Sequence, residues 1–209
     1  MKTKTIIFDF GGVIVRLSPD EAVRRFQQLG LADADQRLDK YHQTGIFGDL
    51  EEGKITADEF QHALSQLVGR QLTHEECAYA WQGYAAEVPA KHLSTLKELR
   101  RQGYRVLLLS NTNPFMMEWA MSGRFDGKGN PIGDYFDKLY LSYQLKMMKP
   151  DERVFKQVLI DEGLKAGEAV FIDDGPGNVE AANQLGMLTI CPGEGDDWTE
   201  ELKQILNKK

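Results

Sequence analysis

The chain has 209 residues, 42% of them hydrophobic, enough to bury a sizeable core and slightly more than a usual single domain. Its formal charge of −7 leaves no basic footprint, which argues against nucleic acid or an anionic membrane as the main partner. The two cysteines, Cys77 and Cys191, lie far apart and read as small buried hydrophobes rather than a disulfide framework.

No apolar run approaches the ~20 residues that span a bilayer, and Lys2 and Lys4 lead directly into a strand without a signal-peptide pattern. A cytoplasmic protein with no membrane partner is expected, as a monomer or a small homo-oligomer.

The first element is "IIFDFGGVIV", residues 6–15, an apolar run that carries one carboxylate, Asp9, and then breaks on Gly11 and Gly12. Four later runs resemble it: "YRVLLLS" ending at Ser110, "DKLYLSYQL" ending near Leu145, "EAVFIDD" ending at Asp174 and "GMLTICP" ending near Pro192. Each is short and continuously apolar, and helical patterning separates them. This predicts an α/β fold: a doubly wound, Rossmann-like parallel sheet of about five strands with helices on both faces. The intervening helices run from Pro89 to Gly103, Asp151 to Gly163 and Gly177 to Gly186, each closed by a glycine placed like a C-cap, and a last amphipathic helix starts at about Thr199.

About ninety residues separate Val15 from Val106, where a crossover of about a dozen would suffice. That excess reads as an inserted helical bundle over residues 17–87. Its helix starts are Ser18 with Pro19 and Glu21, Thr56 with Glu59, and Thr73 with Glu76, the last two being capping boxes. The division expected is a core of residues 1–16 and 88–209 with a cap of residues 17–87. "SGRFDGKGNPIGD", Ser122 to Asp134, is rich in turn formers and predicts a surface loop.

Ligands of open parallel sheets bind beyond the carboxyl ends of the strands, where the strand order reverses. The polar residues at those ends are Asp9, Ser110 with Asn111, Lys149, and Asp173 with Asp174. Taken singly, each is an ordinary turn former or helix cap. Taken together they are a candidate site.

"FDFGGVI", "LLLSNTN", "MMKPDERVF" and "FIDDGPGNVEAA" resemble, in order and spacing, the four motifs of the haloacid dehalogenase-like hydrolase superfamily, and the insertion sits where its helical-cap subclass carries the cap. "FGDLEEGKITADEF" and "SNTNP" look most like a group of small sugar-phosphate phosphatases, with the N-terminal phosphatase domain of soluble epoxide hydrolase a more distant relative. The resemblance implies a phosphatase of small phosphorylated metabolites in which Asp9 attacks phosphorus and forms an aspartyl-phosphate. Three clustered aspartates and a phosphate dianion need a hard dication. Mg²⁺ would take the Asp9 carboxylate, the Gly11 carbonyl and Asp174, with Asp173 acting behind them. Lys149 would bind both nucleophile and phosphate, Ser110 with the N–H groups of Asn111 and Thr112 would hold the other phosphate oxygens, and Asn178 would orient its neighbours or cap its helix.

One departure stands out. Most phosphatases of this superfamily carry a second aspartate two residues after the nucleophile as general acid and base, and here that residue is Gly11. Two escapes exist: a good leaving group, as in a sugar 1-phosphate or acyl phosphate, or a proton donor from the cap, for which Glu51 and His42 are candidates. Phe47, Trp81 and Tyr84 could line the sugar pocket or pack the cap. The rival readings are a metal-independent haloacid dehalogenase, which the Asp173 and Asp174 pair argues against, and a catalytically silent phosphate-binding module.

Overall fold

The computed structural model describes residues 3–39, 43–193 and 196–207. Strand β1 (Thr5–Phe8) leads through the two-residue strand β2 (Arg16–Leu17) into helices α1 (Pro19–Leu29), α2 (Ala34–Arg37), α3 (Ile46–Glu51), α4 (Ala57–Val68) and α5 (His74–Trp81). The chain returns along β3 (Ala85–Glu87) to α6 (Ala90–Arg101) and β4 (Arg105–Ser110). Then follow α7 (Pro114–Ala120), β5 (Lys138–Leu141), α8 (Ser142–Leu145), α9 (Glu152–Glu162), β6 (Ala169–Ile172), α10 (Pro176–Gln184), β7 (Leu188–Ile190) and α11 (Thr199–Asn207).

The five apolar runs pair as one parallel sheet in the order β5-β4-β1-β6-β7. The centre of the sheet is buried on both sides because β1, β4 and β6 are apolar at both parities, while the edge strands β5 and β7 keep Lys138 and Leu188 exposed. Ile6, Phe8, Val106, Leu108, Val170 and Ile172 point to one face and join Leu96 of α6 and Leu202 of α11. Ile7, Leu107, Leu109, Ala169 and Phe171 point to the other and join Val154, Phe155 and Val158 of α9 and Ala182 of α10. The strand order reverses at β1, so the residues just beyond Phe8, Ser110 and Ile172 converge on one crevice.

Two strands are shorter than the sequence runs suggest. "DKLYLSYQL" pairs only as far as Leu141, opposite Ser110, and then turns into the single helical turn α8, which ends on Lys146 at φ 54°. Ser142 is drawn out of the sheet by hydrogen bonds from its Oγ to the backbone of the neighbouring loops. "GMLTICP" is extended only over Leu188–Ile190.

Helices α1 to α5 lie between β2 and β3, which pair antiparallel. The capping boxes at Thr56 and Thr73 both form: each threonine Oγ1 accepts the N–H of Glu59 or Glu76 at 3.2 Å, and each glutamate accepts the threonine N–H in return. Ser18 makes no side-chain cap bond; Pro19 opens α1 instead. Phe26, Phe47, Phe60 and Trp81 form an aromatic cluster, and Phe60 reaches Phe115 of α7 at a centroid distance of 5.6 Å. Burial of each such side chain contributes ~1.5–3 kcal/mol, so the inserted helices are fastened to the sheet through one continuous apolar cluster.

The loop of residues 122–134 is tied by Asp126, which accepts from Lys128 N–H, Asn130 N–H and the Tyr135 hydroxyl. Buried Trp198, ahead of α11, donates from Nε1 to Val13 O at 2.9 Å and pins the C-terminal segment to the loop after β1. Cys77 is buried, but Cys191, read from sequence as buried too, is exposed because it follows the last strand; neither forms a disulfide. Among the described residues no helix is long and apolar enough to cross a membrane.

Candidate active site

Asp9 follows β1 directly, and its Oδ1 accepts the N–H of Phe10 at 2.7 Å and the Lys149 ammonium at 2.7 Å. Lys149 is 3% exposed and also donates to Asp173 Oδ2 at 2.6 Å, so one buried cation bridges two carboxylates from different strand ends. Asp173 is held on every side: Oδ1 accepts Gly175 N–H at 2.7 Å, and the Asn178 amide donates to both oxygens at 3.0 and 3.1 Å. Asn178 therefore orients Asp173 rather than capping its helix. The Lys149 main chain is fixed in turn by the Asn111 amide, which accepts its N–H and donates to its carbonyl, both at 2.9 Å.

The electrostatics follow from burial. Burial pushes the Asp9 carboxyl up to about 7; Lys149 opposes the shift, and the neighbouring Asp173 and Asp174 add to it. Burial by itself would lower Lys149, but Asp173 and Asp9 outweigh it and hold the ammonium above its ordinary value. One lysine facing three aspartates leaves net negative charge, so a phosphate dianion needs a further cation to approach.

Oxygens of Asp9, Asp173 and Asp174 lie within 4.8 Å of one another, a spacing that suits a divalent ion. Because both Asp173 oxygens already accept hydrogen bonds, Asp9 and Asp174 are the better direct ligands. Gly12 makes the close approach possible. It sits at φ 76°, and a Cβ there would lie 2.2 Å from Asp174 Oδ2, so only glycine leaves room. The donor set, hard carboxylates with a neighbouring backbone carbonyl at Gly11, fits Mg²⁺.

Beside the aspartates opens a cleft between the strand ends and the inserted helices. Gly11, Glu51, Trp81, Ser110, Thr112 and Asn113 contribute to its wall, as do Gln43 and Tyr84. Trp81 and Tyr84 thus do both jobs considered for them, packing the inserted helices and facing the cleft. Phe47 does not: it is fully buried between Phe26 and Phe60, away from the cleft, because the first turn of α3 faces the other helices. Thr112 is corrected in part as well. It lines the cleft, but its N–H is spent on Ser142 Oγ at 3.0 Å and is not available to a phosphate oxygen. The Asn111 amide likewise serves Lys149, leaving only its backbone for a ligand. His42 lies outside the described residues.

Two residues that sequence reasoning passed over belong here. Asn113 caps α7 by accepting Met116 N–H at 3.1 Å, while its buried amide faces the Glu51 carboxyl; Asn followed by Pro is a helix-start signal. Ser142 is 1% exposed and links the loop after β4 to the end of α3, a contact hidden inside an apolar run.

Known proteins share this arrangement. The family model for haloacid dehalogenase-like hydrolases matches residues 3–186. A D-ribitol-5-phosphate phosphatase of Bacteroides thetaiotaomicron is 52% identical over 204 residues, covering 98% of each chain. A HAD-like family hydrolase of Porphyromonas gingivalis superposes with a TM-score of 0.94 at 39% identity over 100% of both chains. Another HAD family enzyme of Bacteroides thetaiotaomicron, solved with magnesium and inorganic phosphate, gives 0.86 at 32% identity over 95% of this chain and 98% of its own. With the family match spanning both the sheet and the inserted helices, the chain belongs to the haloacid dehalogenase-like hydrolases.

Proposed function

We propose that this hydrolase is a Mg²⁺-dependent phosphomonoesterase that moves the phosphoryl group of a small sugar or alditol phosphate onto Asp9 and from there to water. The observation that carries the reading is Lys149, buried and bridging Asp9 to Asp173 beside Asp174, at strand ends whose neighbours Gly11 and Ser110 line the cleft. The relative acting on D-ribitol 5-phosphate supports a primary phosphate ester on a polyol in preference to the sugar 1-phosphate expected from Gly11. The cleft suits such a chain. Among the described residues Trp81 Nε1 is a buried donor on the cleft wall without a partner, and a hydroxyl oxygen of a polyol would satisfy it.

In this reading residues 1–16 and 88–209 form the catalytic core and residues 17–87 the cap that shapes substrate choice. Asp9 is the nucleophile, and Lys149 orients it and neutralises charge on the transferring oxygens. Ser110, at the end of β4, and the backbone of Asn111 hold the phosphate, while Asp9, Gly11 O and Asp174 would hold the metal. Bound Mg²⁺ would supply charge neutralisation of the phosphate and of the crowded carboxylates. Asp173 keeps Lys149 in place. The acidic chain is taken to act in the cytoplasm as a monomer or small homo-oligomer, without nucleic-acid or membrane partners.

The test is phosphate release from a panel of D-ribitol 5-phosphate, pentose 5-phosphates and sugar 1-phosphates, with Mg²⁺ and with chelator. Metal-dependent turnover highest on the 5-phosphates is expected. Turnover confined to the 1-phosphates would return the substrate to an ester with a good leaving group, and binding without release from any member would replace the enzyme with a silent module.

A further inference from the structure

The position two residues after Asp9 has no acid, and a side chain there would press on Leu17. A Cβ on Gly11 would lie 3.0 Å from Leu17 Cδ1 and 3.2 Å from its Cδ2. A proton for a poor leaving group must come from elsewhere in the cleft. Of the described side chains that line it, Glu51 and Tyr84 are the ionisable ones. The Tyr84 hydroxyl is donated to Asp39 O at 3.2 Å, and burial raises its pKa far above neutrality.

Glu51 has the opposite properties. It ends α3 and is 8% exposed, on a cleft wall it shares with Gly11 and Ser110. Its main chain is tied to the phosphate side of the cleft by one hydroxyl: Ser142 Oγ donates to Glu51 O at 2.6 Å and accepts the N–H of Thr112, two residues after Ser110. The groups facing its carboxyl are Asp9 from the end of β1, Asn113 ahead of α7 and Tyr84 after α5. Burial pushes that carboxyl up to about 7; the Asn113 amide opposes the shift and the Asp9 charge reinforces it. A carboxyl held between burial, which favours its protonated form, and an amide, which favours its ionised form, can serve first as an acid and then as a base.

We propose that Glu51, reaching in from the inserted helices, is the general acid and base that replaces the aspartate missing at position 11. The inference rests on the phosphatase reading above. In the first step an Asp9 oxygen bonds to phosphorus, the ester P–O bond breaks, and the Glu51 proton goes to the departing alkoxide, giving the free alcohol. In the second step a water oxygen bonds to phosphorus, its proton goes to the Glu51 carboxylate, and the P–O bond to Asp9 breaks, releasing phosphate. Glu51 ends protonated, ready for the next ester.

Glu51→Gln preserves shape and removes the titratable proton. The experiment compares kcat/KM for D-ribitol 5-phosphate, whose alkoxide needs a proton, and 4-nitrophenyl phosphate, whose phenolate does not, together with rapid-mixing records of 4-nitrophenolate release. The account expects kcat/KM for the alditol ester to fall ~10²–10⁴-fold while that for the aryl ester falls less than about tenfold. A burst of about one nitrophenolate per enzyme should also appear, because the second step has lost its base. Retained aryl kcat/KM shows that the variant is folded. Equal losses on both esters, or a raised KM for the alditol ester with no burst, would overturn the proposal and leave Glu51 as a structural or polyol-binding residue. If the wild type releases phosphate from neither ester, the phosphatase reading fails first and this one with it.

Discussion

At the residue scale the site is an exercise in charge crowding. Three aspartates share one pocket because Lys149 is buried between two of them and because Gly12 allows Asp174 to approach the backbone. Gly12→Ala is therefore expected to act through the metal. The new methyl carbon would meet Asp174 Oδ2 at 2.2 Å in a backbone region that costs an L-residue ~1–2 kcal/mol, so the carboxylate must move. The Mg²⁺ concentration for half-maximal activity should rise ~10–100-fold, the range typical of a disturbed ligand environment, as a metal titration of phosphate release would show. An unchanged metal requirement would remove Asp174 from the ligand set. Asp9, Lys149 and the Asp173–Asp174 pair are visible in the sequence because they recur together after successive apolar runs, although each alone is an ordinary turn former or helix cap. The link from the N–H of Thr112 through Ser142 to Glu51 is not visible, since its members lie 30 and 91 residues apart and nothing local marks the pairing.

At the element scale, caps and periodicity describe the helices well. The boxes at Thr56 and Thr73 depend on four consecutive residues each, and α9 stops at Gly163 in the left-handed conformation that its position suggests. What an element's side chains face is a tertiary matter, and Phe47 shows it. Beside a glycine on a short helix it reads equally as a pocket residue or as core, and the packing of Phe26, Phe60 and Trp81 around it decides the matter. Phe47→Ala should cost ~3–5 kcal/mol, as a cavity among aromatic rings does. For a chain of this size that lowers Tm by roughly 6–20 °C in a thermal melt. A pocket residue would behave differently, raising KM with Tm near that of the wild type, and that result would contradict the packing described here.

At the scale of the whole molecule, the strand order brings together what the chain keeps apart. Asp9, Ser110, Lys149 and Asp173 come from four segments spread over more than 160 residues, and a parallel sheet whose strand order reverses at β1 puts them on one crevice. The inserted helices then roof that crevice and bring Glu51, Trp81 and Tyr84 to it. This architecture was legible in outline from five apolar runs and one long insertion. The occupant of the cleft was not, because it depends on the directions of a few side chains on the roof. The central claim is that Asp9, with Mg²⁺, carries the phosphoryl group. The most direct measurement is phosphate release from D-ribitol 5-phosphate by wild type and Asp9→Asn, each with Mg²⁺ and with excess chelator. The account predicts turnover only for wild type with Mg²⁺; release by Asp9→Asn at a rate near that of the wild type, or release undiminished by chelator, would contradict it.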